Sequence, residues 1–278
     1  MSRSEYAFCN PESQFARMPV YHLEAAILRS VPSFRASRKI VPEDDPDRVA
    51  DEVITKGFDE FCWSLYFEPA FLIRLFFAGF LPICTDLGAP GDPVYCLLPK
   101  LHFQRSVISL TNWEGRKVRR KNNRSYELCL DQQFDSVIAG CMQQHGARSW
   151  IHPPLLKALR DLHFFGSCIC PNSCPVRVHS VGLVRNGELV AGEIGCTVGS
   201  VYTSMTGFYR ESGTGSIQLA LLGQHLKARG FALWDLGMQM DYKTDLGAVC
   251  MSRVDFLHAF RRHRSVPVEF GSTASPSH

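Results

Sequence analysis

The stretch FALWDLGMQMDYKTDLGA, Phe231 to Ala248, is the one whose reading decides the fold. Its pattern predicts one buried strand followed by a turn. Phe231, Leu233, Asp235, Gly237 and Gln239 fall on one face at period two, and Ala232, Trp234, Leu236, Met238 and Met240 on the other. The second face is apolar throughout and is expected on a core. The first begins apolar and turns polar at Asp235. A carboxylate in the middle of an apolar strand is costly to bury without a partner. It is either a structural Asp satisfied by backbone amides, or a carboxylate aimed into a cleft where Gly237 lets a ligand approach closely. Residue types alone favour the structural reading.

Upstream of this strand, Ile217, Ala220, Leu221 and Ala228 recur at helical spacing, predicting a helix from about 216 to 229 that Gly230 caps. Before it come strands at 177–185 and 188–197 joined by Asn186-Gly187, a strong two-residue hairpin signal. Gly199 turns the chain into a third strand at 201–206. Phe134, Val137, Ile138 and Cys141 mark an amphipathic helix with Asp131 as its expected N-cap. Pro153 and Pro154 open another, lined by Leu155, Leu159 and Leu162 and ended by Gly166. The order helix, helix, three-strand meander, helix, strand resembles the acyl-CoA N-acyltransferase (GNAT) superfamily. The expected class is therefore α+β, with a C-terminal GNAT-like domain and a smaller N-terminal α+β domain.

The 278 residues allow one large domain or two modest ones. The expected division is a weakly structured leader at 1–50, an N-terminal α+β domain at 51–126, the transferase-like domain at 127–262 and a disordered tail at 263–278. In the N-terminal domain, Pro69 starts a helix in which Leu72, Leu75, Phe76 and Gly79 keep helical spacing. Its apolar surface is too large for a free helix, so it must pack on a sheet. Tyr95 to Leu98 and Ser106 to Leu110 read as short strands. The net charge of +3 implies nucleic-acid binding only where positive charge is clustered. Arg116, Lys117, Arg119, Arg120, Lys121 and Arg124 form such a cluster. It is equally a solvated loop or a phosphate-binding segment. The 11 cysteines are scattered through apolar runs, and Met1 to Glu12 is too polar for a signal peptide. Reduced thiols, a cytoplasmic location and no membrane association are expected. Cys168, Cys170 and Cys174 are possible zinc ligands, but their spacing is not that of a Cys-x-x-Cys pair and the preferred reading has no metal.

Arg210-Glu-Ser-Gly213-Thr-Gly215 spells the Arg-x-x-Gly-x-Gly loop with which GNAT enzymes cradle the pyrophosphate of coenzyme A. Glycines there expose backbone N–H groups beside a helix N-terminus. A plain glycine-rich turn is the other reading.

A more specific resemblance runs over roughly residues 61 to 260. Phe67 to Ile83, Ser149 to Gly166, Val178 to Ser204 and Leu233 to Phe260 are similar, in order, to segments of the leucyl/phenylalanyl-tRNA–protein transferase family. These include its Leu-Ser-Pro…Gly-Ile-Phe-Pro, Thr-Trp-Ile, His-Ser-Val, Leu-Val-Gly-Gly, Ile-Asp-x-Gln and Ser-Leu-Gly-Ala motifs. The resemblance puts the family's catalytic Asp on Asp235, while its partner Gln falls on Gly237; Gln239, one strand step along, would stand in. The amino-acid pocket's Gly-Glu-Ser becomes Ser204-Met205-Thr206, so a pocket carboxylate is missing, and the Glu after His-Ser-Val becomes Gly182. Of two Trp residues flanking the tRNA's terminal adenosine, Trp150 is retained and the other becomes Ile83. Residues 168 to 174 are an insertion.

What the resemblance implies is an aminoacyl-tRNA–protein transferase of the N-degron pathway, monomeric and without cofactor, whose partners are aminoacyl-tRNA and a protein or peptide N-terminus. Asp235 and Gln239 would act on the attacking amine. Trp150 would stack on the adenosine, Met205 would line an apolar pocket for Leu, Phe or Met, and backbone N–H groups near Met205 to Gly207 would stabilise the oxyanion. His179 is a second candidate proton handler, although a lone strand His is more often structural. A coenzyme A-dependent N-acyltransferase using Arg210, Gly213 and Gly215, and an inactive tRNA-binding adaptor, are the alternatives.

Overall fold

The computed structural model describes residues 20–57, 59–115, 126–165 and 176–271. They pack as two units, one formed by the chain up to His102 with Trp150–Asp161, the other by Phe103–Ser149 and the chain from Leu162.

In the first unit, α1 (Val20–Ser30), α2 (Pro46–Lys56) and α3 (Pro69–Phe77) accompany a two-stranded antiparallel sheet of β1 (Leu81–Asp86) and β2 (Tyr95–Lys100). The leader expected through residue 50 gives way to structure from residue 20. Leu23 and Ile27 of α1 pack with Trp63, Leu65, Val94 and Cys96. The charged run before α2 is a cap: the Asp45 carboxylate accepts from Asp47 N–H, and Pro46 takes the first helical position. The Arg74 guanidinium of α3 donates to Pro42 O and Asp44 O, tying that loop down. Phe71, Leu72, Ile73, Leu75 and Phe76 of α3 are buried, as the size of its apolar surface requires.

The second unit holds β3 (Gln104–Ser109), β4 (Tyr126–Leu130), α4 (Phe134–His145), the end of α5 (Pro153–Phe165), β5 (Val176–Arg185), β6 (Glu188–Val198), β7 (Val201–Tyr209), α6 (Thr214–Arg229), β8 (Leu233–Asp235), α7 (Asp241–Asp245), β9 (Val249–Ser252) and α8 (Arg253–His263). Its seven strands run in the order β4-β5-β6-β7-β8-β3-β9, antiparallel except for the parallel pair β7–β8. The molecule is thus mixed α and β with a large mixed sheet. Asn186 and Gly187 both take positive φ, 52° and 82°, as the hairpin requires. Gly223 admits α6 against the core: a Cβ there would lie 2.3 Å from Trp113 and 2.7 Å from Trp234.

Four further expectations change. The strand expected at Ser106–Leu110 and assigned to the N-terminal domain is β3, which lies between β8 and β9 in the second unit's sheet. Asp131 does not cap α4; Gln133 holds that position, and Asp131, at φ 58°, turns its carboxylate to His179 and Ser180. The tail expected to be disordered from 263 is docked through residue 271: Phe270 is buried, stacks on Tyr202 at 5.4 Å, and its carbonyl meets His225 Nε2 at 2.7 Å. Finally, the apolar face ends early, with Met238 and Met240 exposed at 55% and 45%. No helix among the described residues is long and apolar enough to cross a membrane.

Candidate active site

The parallel pairing of β7 and β8 covers Val201↔Leu233, Tyr202↔Trp234 and Thr203↔Asp235, then stops. β8 ends there while β7 continues to Tyr209. Ser204 to Gly207 therefore run past the end of their neighbour, and all four are half-buried. The β6–β7 register shifts from Ile194↔Thr206 to Gly195↔Ser204, leaving Met205 as the extra residue of a bulge. A bulge re-aims the side chains beside it and interrupts pairing. The early end of β8 and the bulge together leave a notch in the sheet beside Ser204–Gly207.

Asp235 closes one side of the notch. It is fully buried. Its Oδ2 accepts from Arg105 Nη1 at 2.5 Å and Thr203 Oγ1 at 3.2 Å, and its Oδ1 accepts from Gly237 N–H at 2.9 Å. Arg105, on β3, is 1% exposed and lays its guanidinium over the Phe256 ring of α8 at 4.4 Å. The backbone-amide partner expected for a structural Asp is present, but the main partner is a cation 130 residues away in sequence. A single Arg in the run FQRSVISL was the only local sign of it. Gly237 takes φ 72° and ends the alternation. Gln239 is therefore not one strand step along from Asp235 on the same face; it is exposed beyond the turn.

A second carboxylate, absent from the sequence reading, sits across the sheet. Glu193 of β6 is 4% exposed. Its Oε1 accepts from Ser204 Oγ at 2.7 Å and Tyr202 OH at 3.0 Å; its Oε2 accepts from Gln218 Nε2 at 3.2 Å. Trp234 Nε1 donates to Ser204 Oγ at 3.0 Å. Gly195 makes room for this arrangement, since a Cβ there would lie 2.1 Å from the Tyr202 hydroxyl. Burial pushes the Glu193 carboxyl above the usual carboxylate range, against the hydrogen bonds from Ser204, Gln218 and Tyr202. A lone charge in VAGEIGC is the same signal that singled out Asp235. Lys243 of α7 lies between the two carboxylates electrostatically. Its Nζ donates to Leu236 O at 2.6 Å and Met238 O at 2.7 Å, holding the turn after Asp235. Burial lowers its pKa to about 8, against the pull of Asp235 and Glu193.

His179 is buried with both ring nitrogens engaged, Nδ1 with Asp131 Oδ2 at 2.8 Å and Nε2 with Thr197 Oγ1 at 2.9 Å. Burial lowers its pKa and the Asp131 carboxylate opposes that shift.

A family model described as leucyl/phenylalanyl-tRNA protein transferase matches residues 107–261, which contain the notch, Asp235 and Glu193. The chain belongs to that family. A leucyl/phenylalanyl-tRNA–protein transferase of Rhizorhabdus wittichii is 30% identical over 68% of this chain and 72% of its own length. One from Pseudomonas putida is 30% identical over 72% of this chain and 83% of its own length.

Against the family's pattern, Glu193 places a carboxylate at the notch although the expected pocket carboxylate is replaced by Met205. Trp150 and Ile83, which the resemblance alone sets at the terminal adenosine, both belong to the first unit. Cys84 N–H donates to Trp150 O at 3.2 Å, which sets the Trp150 main chain beside Ile83; both side chains are half-buried. The arginine- and lysine-rich positions Arg116 to Arg124, like Cys168 to Cys174, lie outside the described residues. The glycine loop does lead from β7 into α6, with Gly213 at φ 85° before Thr214. Arg210 lies over the Phe208 ring at 5.9 Å, and Glu211 pairs with Arg185 at 2.5 Å. Glu211 adds a carboxylate to a loop that would have to receive a pyrophosphate.

Proposed function

We propose that the protein is an aminoacyltransferase that moves an amino acid from a charged tRNA to the N-terminus of a protein or peptide. The observation that carries this reading is the family match over the stretch that builds the notch. The ester joining an amino acid to the tRNA 3′ end is already activated. The enzyme must hold an amine against the ester carbonyl and help remove protons. The half-buried backbone of Met205 to Gly207, running past the end of β8, offers N–H groups for the oxyanion. Met205, bulged from β7, would form the wall of an apolar pocket for Leu, Phe or Met. Asp235 would act as a positioning residue: saturated by Arg105, Thr203 and Gly237, it fixes the end of β8 and the turn that frames the notch. Trp150 would stack on the terminal adenosine, a contact contributing about 1–3 kcal/mol per base. Arg116 to Arg124 would meet tRNA phosphates. A GNAT-like layout of the second unit is part of this reading, supported by the parallel pair β7–β8, whose pairing ends at Thr203 and Asp235.

The test is transfer of radiolabel from Leu-, Phe- or Met-tRNA, or from acetyl-coenzyme A, to peptides beginning with Arg, Lys, Asp or Glu. Label from aminoacyl-tRNA on the N-terminal residue supports the proposal. Label from acetyl-coenzyme A alone, or tRNA binding without transfer, overturns it.

A further inference from the structure

We propose that Ser204 and Glu193 form the route by which the ammonium of the acceptor loses its first proton, an inference that rests on the transfer reading above. The Ser204 hydroxyl has one donor and two acceptor lone pairs. Its proton is committed to Glu193 Oε1 at 2.7 Å, and one lone pair is taken by Trp234 Nε1–H at 3.0 Å. The second lone pair remains, on a half-buried residue at the notch. The indole fixes the orientation of the hydroxyl, so that lone pair is directed rather than free to rotate. A group that binds there must be a donor. An N-terminal ammonium is one.

Behind the serine, Glu193 meets neutral donors from three directions: Tyr202 and Ser204 of β7, and Gln218 of α6. The charged and titratable groups that bear on it are Lys243 and Tyr242 of α7, Tyr202 of β7 and Cys141 of α4. This differs from Asp235, whose carboxylate is in direct contact with the Arg105 guanidinium. Burial raises the proton affinity of Glu193, which brings it closer to what a proton acceptor near neutral pH requires.

One N–H bond of the ammonium breaks and its electron pair stays on nitrogen. The proton goes to Ser204 Oγ as the serine's own proton passes to Glu193 Oε1, leaving a neutral amine, an intact serine and a protonated Glu193. The amine then attacks the ester carbonyl. As the carbonyl re-forms, the bond to the ribose oxygen breaks and that oxygen takes a second proton from the nitrogen. The third stays on the new amide. Glu193 returns its proton to solvent before the next turnover.

The experiment measures kcat/KM for an Arg-initiated peptide against pH, at saturating aminoacyl-tRNA, for the wild type, Glu193→Gln, Ser204→Ala and Ser204→Thr. The free α-amine of a peptide titrates at about 7.7–8.0. With the relay, the wild type keeps transferring below that range. Glu193→Gln and Ser204→Ala fall about 100-fold or more near pH 6.5, and their acidic limb moves up to the titration of the amine. Ser204→Thr, which keeps a hydroxyl, retains the wild-type limb, and KM for aminoacyl-tRNA is unchanged throughout. Gln can fill the place of Glu193, its carbonyl accepting from Ser204 and Tyr202 while the Gln218 amide flips. If Glu193→Gln does not fold, half-buried Ser204→Ala carries the test alone. Wild-type rates and limb in the variants, or lower rates with an unmoved limb, overturn the relay and leave the transfer reading standing. A wild type that transfers from no aminoacyl-tRNA removes both.

Discussion

Two carboxylates are buried in one sheet on either side of the same notch, and their surroundings differ in kind. Asp235 faces a guanidinium, a hydroxyl and a backbone amide. Glu193 faces two hydroxyls and a side-chain amide. A carboxylate held by a cation keeps its charge, and its removal from water is offset only while the cation stays. A carboxylate held by neutral donors can gain or lose a proton without breaking an ion pair. Burial alone therefore does not define a catalytic carboxylate; the charge of its partners decides whether it is a fastener or a proton acceptor.

The largest expected effect tests the fastener. Arg105→Met leaves Asp235 buried without its cation and should cost about 3–5 kcal/mol, read as a lower urea midpoint. Adding Asp235→Leu should recover most of that loss, because both charges are then gone. No recovery would mean that Arg105 acts mainly through its packing on Phe256. On the other side, Gly195→Ala drives a methyl into the Tyr202 hydroxyl and should cost about 1–3 kcal/mol while disturbing the Glu193 hydrogen bonds. The link between the sides is Lys243: Lys243→Met strips donors from Leu236 O and Met238 O and should cost about 1–3 kcal/mol by the same denaturation. The smallest effect is a pH dependence. A carboxyl whose folded pKa is raised contributes stability that is fully present below the ordinary glutamate range and is lost as pH rises through the folded value. Relative to Glu193→Gln, the wild type should therefore be most stable in acid and lose ground towards neutral pH. A melting-temperature difference between the two proteins that is flat with pH would contradict the raised pKa.

Much of the second unit was legible because its signals are local. Asn186-Gly187 specifies a hairpin through the φ > 0 that its two residues tolerate, and Gly230 ends α6 at φ 89° for the same reason. Leu155, Leu159 and Leu162 sit on the buried face their spacing predicts. The errors arose where one residue changed the period or where distant chain returned. Gly237 broke the alternation, and with it the placement of Met238, Gln239 and Met240. Phe270, after a basic and Ser/Pro-rich stretch, had no periodic neighbours to mark it as core, yet it packs on His179 and Tyr202. Leu23 and Ile27 were hidden in the same way, since their partners lie on the strands and loops after residue 60.

The sequence by itself determined the run of helices and strands from Phe134 to Arg229, the buried strand through Asp235, and the family resemblance that the match over 107–261 bears out. Periodicity, turn chemistry and motif order are properties of neighbouring residues and survive without a fold. Only the tertiary structure decided which carboxylate holds which partner. Inserting β3 between β8 and β9 brings Arg105 to Asp235, and the bulge at Met205 turns Ser204 towards Glu193. Both outcomes depend on strand order and register, which arise from contacts between segments far apart in the chain and leave no local mark.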